Sequence, residues 1–454
     1  MYARELRQFN QGTRLTSIIA ENNQPPEHAV NNCATNNVRD VRERTTHLFW
    51  NCSALWLGEL VSVFGSQFFL VAIPWLMAPG ATLGRNLSLI MASGSLSKAV
   101  VMPFGGIATD RISSRKILLV TNFSRGVLSF FIGYMAFTRS APLFAVAVLM
   151  LAYGCADGFF YPAFLSAVPR LVPKEYIHRA NSSLSTLNGI ASSVGPAIAG
   201  MFISHYGLSP AFLCDGVSFC LAALSIAFIR GRALTTHETP DSSTSIAESL
   251  AGGLKYVWGH HTLRAAVIIS ILINTAIAGP YMIGTVLRVK ALSEAPGTLG
   301  LLFSASGVGV LIGAIVAAGW YPKPRRTKST VNCLLVIIGG ALLFLLSSRS
   351  ILYIVLARAS IGLALGYLDV LGMTVVQQHA APGTLGRVFS LFTVTMSGVQ
   401  PLSYLISGLL ASKGAAPLFL LSACFVLSAL SFSRHLNRDS SETMAITPVR
   451  HATI

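Results

Sequence analysis

Of the ionisable residues that stand inside long apolar runs, where a charged side chain is costly, five could exchange charge: Glu59, Lys98, Asp157, Arg358 and Asp369. Their chemistry there is charge exchange. An acid taken out of water favours its protonated form, a neighbouring cation favours the carboxylate, and together they can take up and release a proton. Asp157, in GCADGFFYP, stands near mid-depth beside two glycines and must pair or protonate. Glu59 lies about three turns into the first run, facing a cavity or partner, or wetted near the interface. Lys98, amid ASGSLSK, reads as a partner for a buried acid or a cation facing a substrate. Glu59, Asp157 and Asp369 are thus proton-coupling candidates, with Lys98 and Arg358 as counter-charges or cavity groups. Arg358 and Asp369 are eleven residues apart, so on a helix they share a face without touching, and each calls for a partner from another helix. Arg125, a few residues into the third run, reads as interfacial, and Asp215, close to the outer face, as paired or hydrated.

Between the second and third runs lies GGIATDRISSRK, residues 105–116, a charged link containing Gly106, Asp110, Arg111 and Arg115. A link that short turns at a membrane face. The fifth run contains NGIASSVGPAIAG, in which Gly195, Pro196 and Gly200 sit among small residues that permit close helix approach.

The elements that must position these residues are transmembrane helices. The chain is 53% hydrophobic and 11% charged, with a mean hydropathy of +0.62, against about 25% charged in soluble domains. Apolar stretches of roughly 20 residues, enough to cross a hydrocarbon core, recur over 48–434. Twelve are expected, as helices, because unpaired backbone groups are not tolerated in lipid. The net charge of +16 raises the question of nucleic acid, but the distribution answers it. With the N-terminus cytoplasmic, 24 of the 33 Lys and Arg fall on the cytoplasmic face and 6 on the other, the positive-inside bias of a protein with both ends inside. No nucleic-acid partner is expected.

The expected organisation is a disordered cytoplasmic tail at 1–47, a six-helix bundle at 48–230, a cytoplasmic linker at 231–263, a second six-helix bundle at 264–434 and a cytoplasmic tail at 435–454. The tail carries no signal-peptide core, so the first span is expected to serve as the targeting signal. In the linker, Ile246, Leu250, Leu254, Val257 and Trp258 fall on one face of an amphipathic helix. The halves repeat: ASG at 92–94 with Gly106 recurs as ASG at 305–307 with Gly319, and Gly154 with Asp157 recurs as Gly366 with Asp369, at offsets of 213 and 212. Pro74 and Pro280, and Arg179 and Arg387, follow at similar offsets. A duplicated unit with an even number of spans has its pseudo-two-fold axis along the membrane normal.

The link G-x-x-x-D-R-x-x-x-R resembles the signature loop of the major facilitator superfamily, with Ser113 and Ser114 where the family carries Gly and Arg. The Gly195–Pro196 segment is similar to the antiporter motif of its exporter branches, and Arg358 before Gly362 to the family's Arg-x-x-x-Gly element. LWLGELVSVFGSQ at 55–67, ADGFFYP at 156–162, VPKEYIHRANSSL at 172–184 and LGRVFSLF at 385–392 resemble the branch of enterobactin exporters and macrolide efflux proteins. The resemblance implies energy-coupled export of a small drug-like or siderophore-like molecule across the cell inner membrane. It also implies gating roles for Asp110 and Arg111, with Glu59 standing where the family has glutamine. Proton antiport by a monomer is the expected mechanism. Uptake or lipid transport by the same fold, and a non-transporting sensor or scaffold, are the alternatives. No phosphate-binding loop, metal-ligand spacing or catalytic triad is visible, so an enzyme, a cofactor and a metal are not expected.

Overall fold

The computed structural model describes residues 27–77, 82–172, 176–229, 246–320, 322, 326–380, 385–434 and 436. Two compact units divide the chain, residues 1–52 and 53–454. In the first, the described residues are helical. This includes 27–47, expected as part of a disordered tail. No Pro or Gly stands between Glu27 and Gly58, so a helix in the following span meets no breaker as it propagates backwards.

The described residues of the second unit form helices joined by short turns. Its first half holds the part of α1 (Glu27–Leu76, of which Trp50–Leu76 is apolar enough to span) from residue 53 on, α2 (Leu83–Arg111), α3 (Ser114–Phe137), α4 (Leu143–Leu171), α5 (Ile177–Tyr206) and α6 (Leu208–Ala227). After α7 (Ile246–Gly259) come α8 (His261–Ala276), a π turn (Ile277–Tyr281) and α9 (Met282–Ala291), which together make one span. Then follow α10 (Pro296–Gly319), α11 (Thr327–Ser347), α12 (Ile351–His379), α13 (Leu385–Ala411) and α14 (Ala415–Ser433). Among the described residues eleven spans are long and apolar enough to cross a membrane. The twelfth, α13, has the length at 27 residues but carries more polar side chains, and it packs between the halves against α2. Large side chains such as Val120, Phe123, Phe144 and Leu409 are exposed, as expected of surfaces that meet lipid tails.

The expected repeat is visible as shared packing. In one half α2 lies along α4, with Gly154 against the Gly94 carbonyl. In the other, α10 lies along α12 in the same way, with Gly362 against Ser306 and Gly366 against Val310. Across the halves, α5 packs on α10 and α2 on α13. The linker helix α7 is present, but its expected apolar face is divided. Val257 is buried with Leu263, Val267, Val376 and Val388, while Leu254 and Trp258 are exposed. The side chains of Ile246 and Leu250 lie outside the described residues.

The π turn has a direct sequence cause. Pro280 has no N–H, so the Ala276 carbonyl loses its i+4 donor, and the helix widens to the i→i+5 pattern that turns the Tyr281 N–H toward it. Ser422 supplies a further donor from α14 at 2.9 Å, and Ser403 donates to the Thr275 carbonyl at 2.6 Å while accepting from the Gly279 N–H at 2.9 Å. Ser422→Ala therefore removes a buried side-chain donor from that carbonyl and should cost about 0.5–1.5 kcal/mol. Thermal unfolding in detergent should show a lowered midpoint for it, and no shift for Ser428→Ala on the exposed face.

Candidate functional site

The first half centres on Asp157. Its helix α4 packs so closely on α2, at Gly154 and Gly158, that Lys98 lies alongside it. Lys98 Nζ is 2.6 Å from one carboxylate oxygen, and Arg125 Nη1 from α3 is 3.2 Å from the other. The two cations differ in setting. Lys98 is 33% exposed, whereas Arg125 is 6% exposed and stacked between Phe160, 3.9 Å away, and Phe219, 4.5 Å away. Arg125 Nη2 also donates to Asn122 Oδ1 at 2.9 Å. Arg125 is therefore held by its surroundings, and Lys98 is the partner with room to leave. Glu59, half-buried on α1, lies within electrostatic reach of Arg125 and Asp157.

Arg125 is no interfacial arginine. Apolarity alone starts the third span at Ile117, but most of the expected link continues as helix: α2 runs to Arg111, α3 starts at Ser114, and the turn between them is two residues. Arg125 is therefore the twelfth of the 24 residues of α3, at its middle. A signal was available in Asn122, Arg125 and Ser129, a polar stripe at spacings of three and four. Ser129 also locates Asp215, which is fully buried and accepts from Ser129 Oγ at 2.7 Å, with its other oxygen unpartnered.

The other predicted residues fall in three places. Arg358, 3% exposed, donates to Thr285 Oγ1 at 2.6 Å and the Leu302 carbonyl at 3.2 Å and faces the Tyr281 and Phe303 rings, so its partners are neutral groups and aromatic faces rather than an acid. Asp369 is exposed into a cavity of about 380 Å³ inside the second half, apart from the Asp157 cluster.

At the signature link, Arg115 donates to the Ala227 carbonyl at 2.6 Å, placing a cation on the C-terminus of α6 where the helix dipole favours it. Arg111, exposed, ends α2, and the Asp110 side chain lies outside the described residues. Gly106 faces open space, and it is Gly105 that meets the Gly158 carbonyl. In α5, Gly195 adjoins Gln67 of α1, whereas Gly200 meets Pro296, Gly297 and Gly300 of α10. Two hydrogen bonds accompany that crossing: the Ala197 N–H to Ser304 Oγ at 2.8 Å and the Gly297 N–H to Ser204 Oγ at 3.1 Å. Lys290 of α9 adds a cation–π contact to Trp75 of α1, 3.6 Å from its ring centre. The halves are thus joined tightly at the membrane face carrying Trp75, Gly200, Lys290 and Gly297.

Among the described residues no cluster of His, Cys, Asp and Glu could hold a metal ion. What the arrangement offers is buried charge on both sides of an interface whose α5–α10 crossing is built from small residues.

Comparison with known proteins agrees with this architecture. The chain is 23% identical to macrolide efflux protein A of Streptococcus pyogenes over 376 residues, covering 82% of this chain and 92% of that protein. It is 25% identical to the multidrug efflux pump Tap of Mycolicibacterium fortuitum over 368 residues, covering 78% and 87%. A bacterial homologue of the iron transporter ferroportin, in an inward-facing state, superposes with a TM-score of 0.67 at 16% identity, covering 85% of this chain and 98% of that one. A variant of the nucleoside transporter NupG superposes with 0.68 at 13% identity, covering 85% and 99%. The profile of the Major Facilitator Superfamily matches residues 55–404, and the chain belongs to that family of transporters.

Proposed function

We propose that the protein exports a small amphipathic molecule across the cytoplasmic membrane in exchange for protons, by alternating access and as a monomer with both termini cytoplasmic. The observation that carries the proton is the balance of charge in the first half. Glu59, Asp157 and Asp215 stand against Lys98 and Arg125, one acid more than bases, so a single bound proton makes the interior neutral. In a low-dielectric setting that neutrality counts for much more than it does in water. A proton arriving at Asp157 would release Lys98, its more exposed partner, and leave Arg125 on its aromatic seat. Transport of this kind makes and breaks no covalent bond in its substrate, so no enzymatic step is assigned.

Export is supported by the named relatives, both efflux proteins. On the proposed topology, the closed face at Gly200 and Gly297 is the outer one and the cavities open inward. The test is accumulation of candidate drugs, macrolides first, in inside-out vesicles carrying a proton gradient. Accumulation should appear with the gradient and collapse when a protonophore removes it. Accumulation that survives the protonophore would refute proton coupling, and flux in the opposite sense would refute export.

A further inference from the structure

We infer that the cavity in the second half is a binding site for amphipathic organic ammonium ions, with Asp369 as the group that holds their charge. This deepens the export reading by naming a substrate class, and it rests on that reading for its physiological meaning. The cavity holds about 380 Å³, the scale of a drug-sized ligand. It lies between α8, the π turn, α12 and α13, and its walls are mostly apolar, with Ile273, Leu368, Phe392 and Met396 among them. Asp369 is the one charged residue among those lining it, and among the described residues it makes no ion pair.

Its opposite number in the first half shows why this is unusual. Asp157 is neutralised by Lys98 and Arg125, but the position 213 residues beyond Lys98 is Leu311, and around 336–338 the chain reads Val-Ile-Ile. The duplicated acid has been kept while the matching positions hold no cation. A second polar group points the same way. Asn274 also lines the cavity; its amide nitrogen has only the sulfur of Met396, at 3.6 Å, and its buried carbonyl oxygen has no donor. An unmatched carboxylate and an unmatched carbonyl both want donors, and an ammonium group brings N–H donors together with positive charge. A bare metal ion would want about six oxygen ligands, which these walls do not supply. An ammonium ion carrying an apolar body fits both the acceptors and the surface around them.

The probe pair is dansylcadaverine, an amphipathic primary amine, and its N-acetyl derivative, which keeps the body and loses the charge. Fluorescence titration of the full-length protein in nanodiscs, without any gradient, should show the amine binding about tenfold or more tighter than the neutral compound, because it alone brings a counter-charge to the carboxylate that opens on the cavity. Asp369→Asn should abolish that preference while leaving affinity for the neutral compound within about twofold, which also reports that the variant is folded. Asp369→Glu should keep the preference. Equal binding of the two probes to the wild type, no binding of the amine, or a preference that survives Asp369→Asn would each overturn the assignment. Vesicle flux is read separately. A preference at equilibrium with no proton-driven flux leaves this site standing and removes the export reading, whereas flux without a preference does the reverse.

Discussion

Asp157→Asn should abolish proton-driven accumulation in inside-out vesicles, with a loss of about 100-fold or more, while the protein still reaches the membrane. Asparagine has nearly the same shape, so α4 can still pack on α2 through Gly154 and Gly158. What is removed is the charge that Lys98 and Arg125 share at 2.6 and 3.2 Å. Arg125 then keeps Asn122 and the two phenylalanine rings but faces no acid at contact distance, and an uncompensated charge of this kind costs about 3–5 kcal/mol. The cost should be partly relieved in the double variant Lys98→Met/Asp157→Asn, which removes one of the two stranded cations. Thermal unfolding of the single and double variants separates the structural consequence from the transport one. If the double variant regains stability but not transport, Asp157 is needed for coupling and not only for folding. Undiminished accumulation by Asp157→Asn would refute the assignment.

Gly300→Leu should be nearly as damaging, by a different route. The position where its Cβ would stand is already occupied by the Pro196 carbonyl and the backbone of Gly200 on the other half. Backbone cannot step aside as a flexible side chain can, so α5 and α10 must separate. Overpacking of this kind costs about 1–3 kcal/mol, enough to move a two-state equilibrium roughly five- to 150-fold. The closed face would then open, and the cycle would stall with it open. Cysteines placed at Ser204 and Gly297, whose side-chain oxygen and backbone nitrogen lie 3.1 Å apart, should crosslink readily in the parent and poorly with Gly300→Leu. A Gly106→Leu control should leave crosslinking unchanged, since nothing lies within contact of that position.

The gross fold could be read from the sequence because its determinants are local. Eleven spans among the described residues announce themselves by length and apolarity, α13 by length alone, and the repeat by residues such as Gly154 with Asp157 and Gly366 with Asp369 that recur in order. The close α2–α4 and α10–α12 contacts follow from the same glycines. What escaped was partnership across helices. In the sequence Arg125 reads as interfacial because the apolar run starts at Ile117, although α3 begins three residues earlier and centres the arginine. Hydropathy does not distinguish a charged loop from a helix end whose charges favour its dipole, as Arg111 does at the end of α2. Asp215 gave no sign that its hydroxyl partner, Ser129, lay 86 residues earlier in the chain. Likewise, the spacing of Arg358 and Asp369 said that both needed partners from elsewhere, but not that Arg358 would find hydroxyl, carbonyl and aromatic groups and Asp369 an open cavity.

The central claim is that Asp157 trades its ion pair with Lys98 for a proton during the cycle. Infrared difference spectroscopy reads this directly, because a protonated carboxyl group has a C=O stretch separate from that of a carboxylate. With aspartate labelled by carbon-13, addition of a transported substrate under a proton gradient should make a protonated-aspartate band appear in the reconstituted wild type, and that band should be missing from Asp157→Asn. A substrate-induced band that persists unchanged in Asp157→Asn would contradict it.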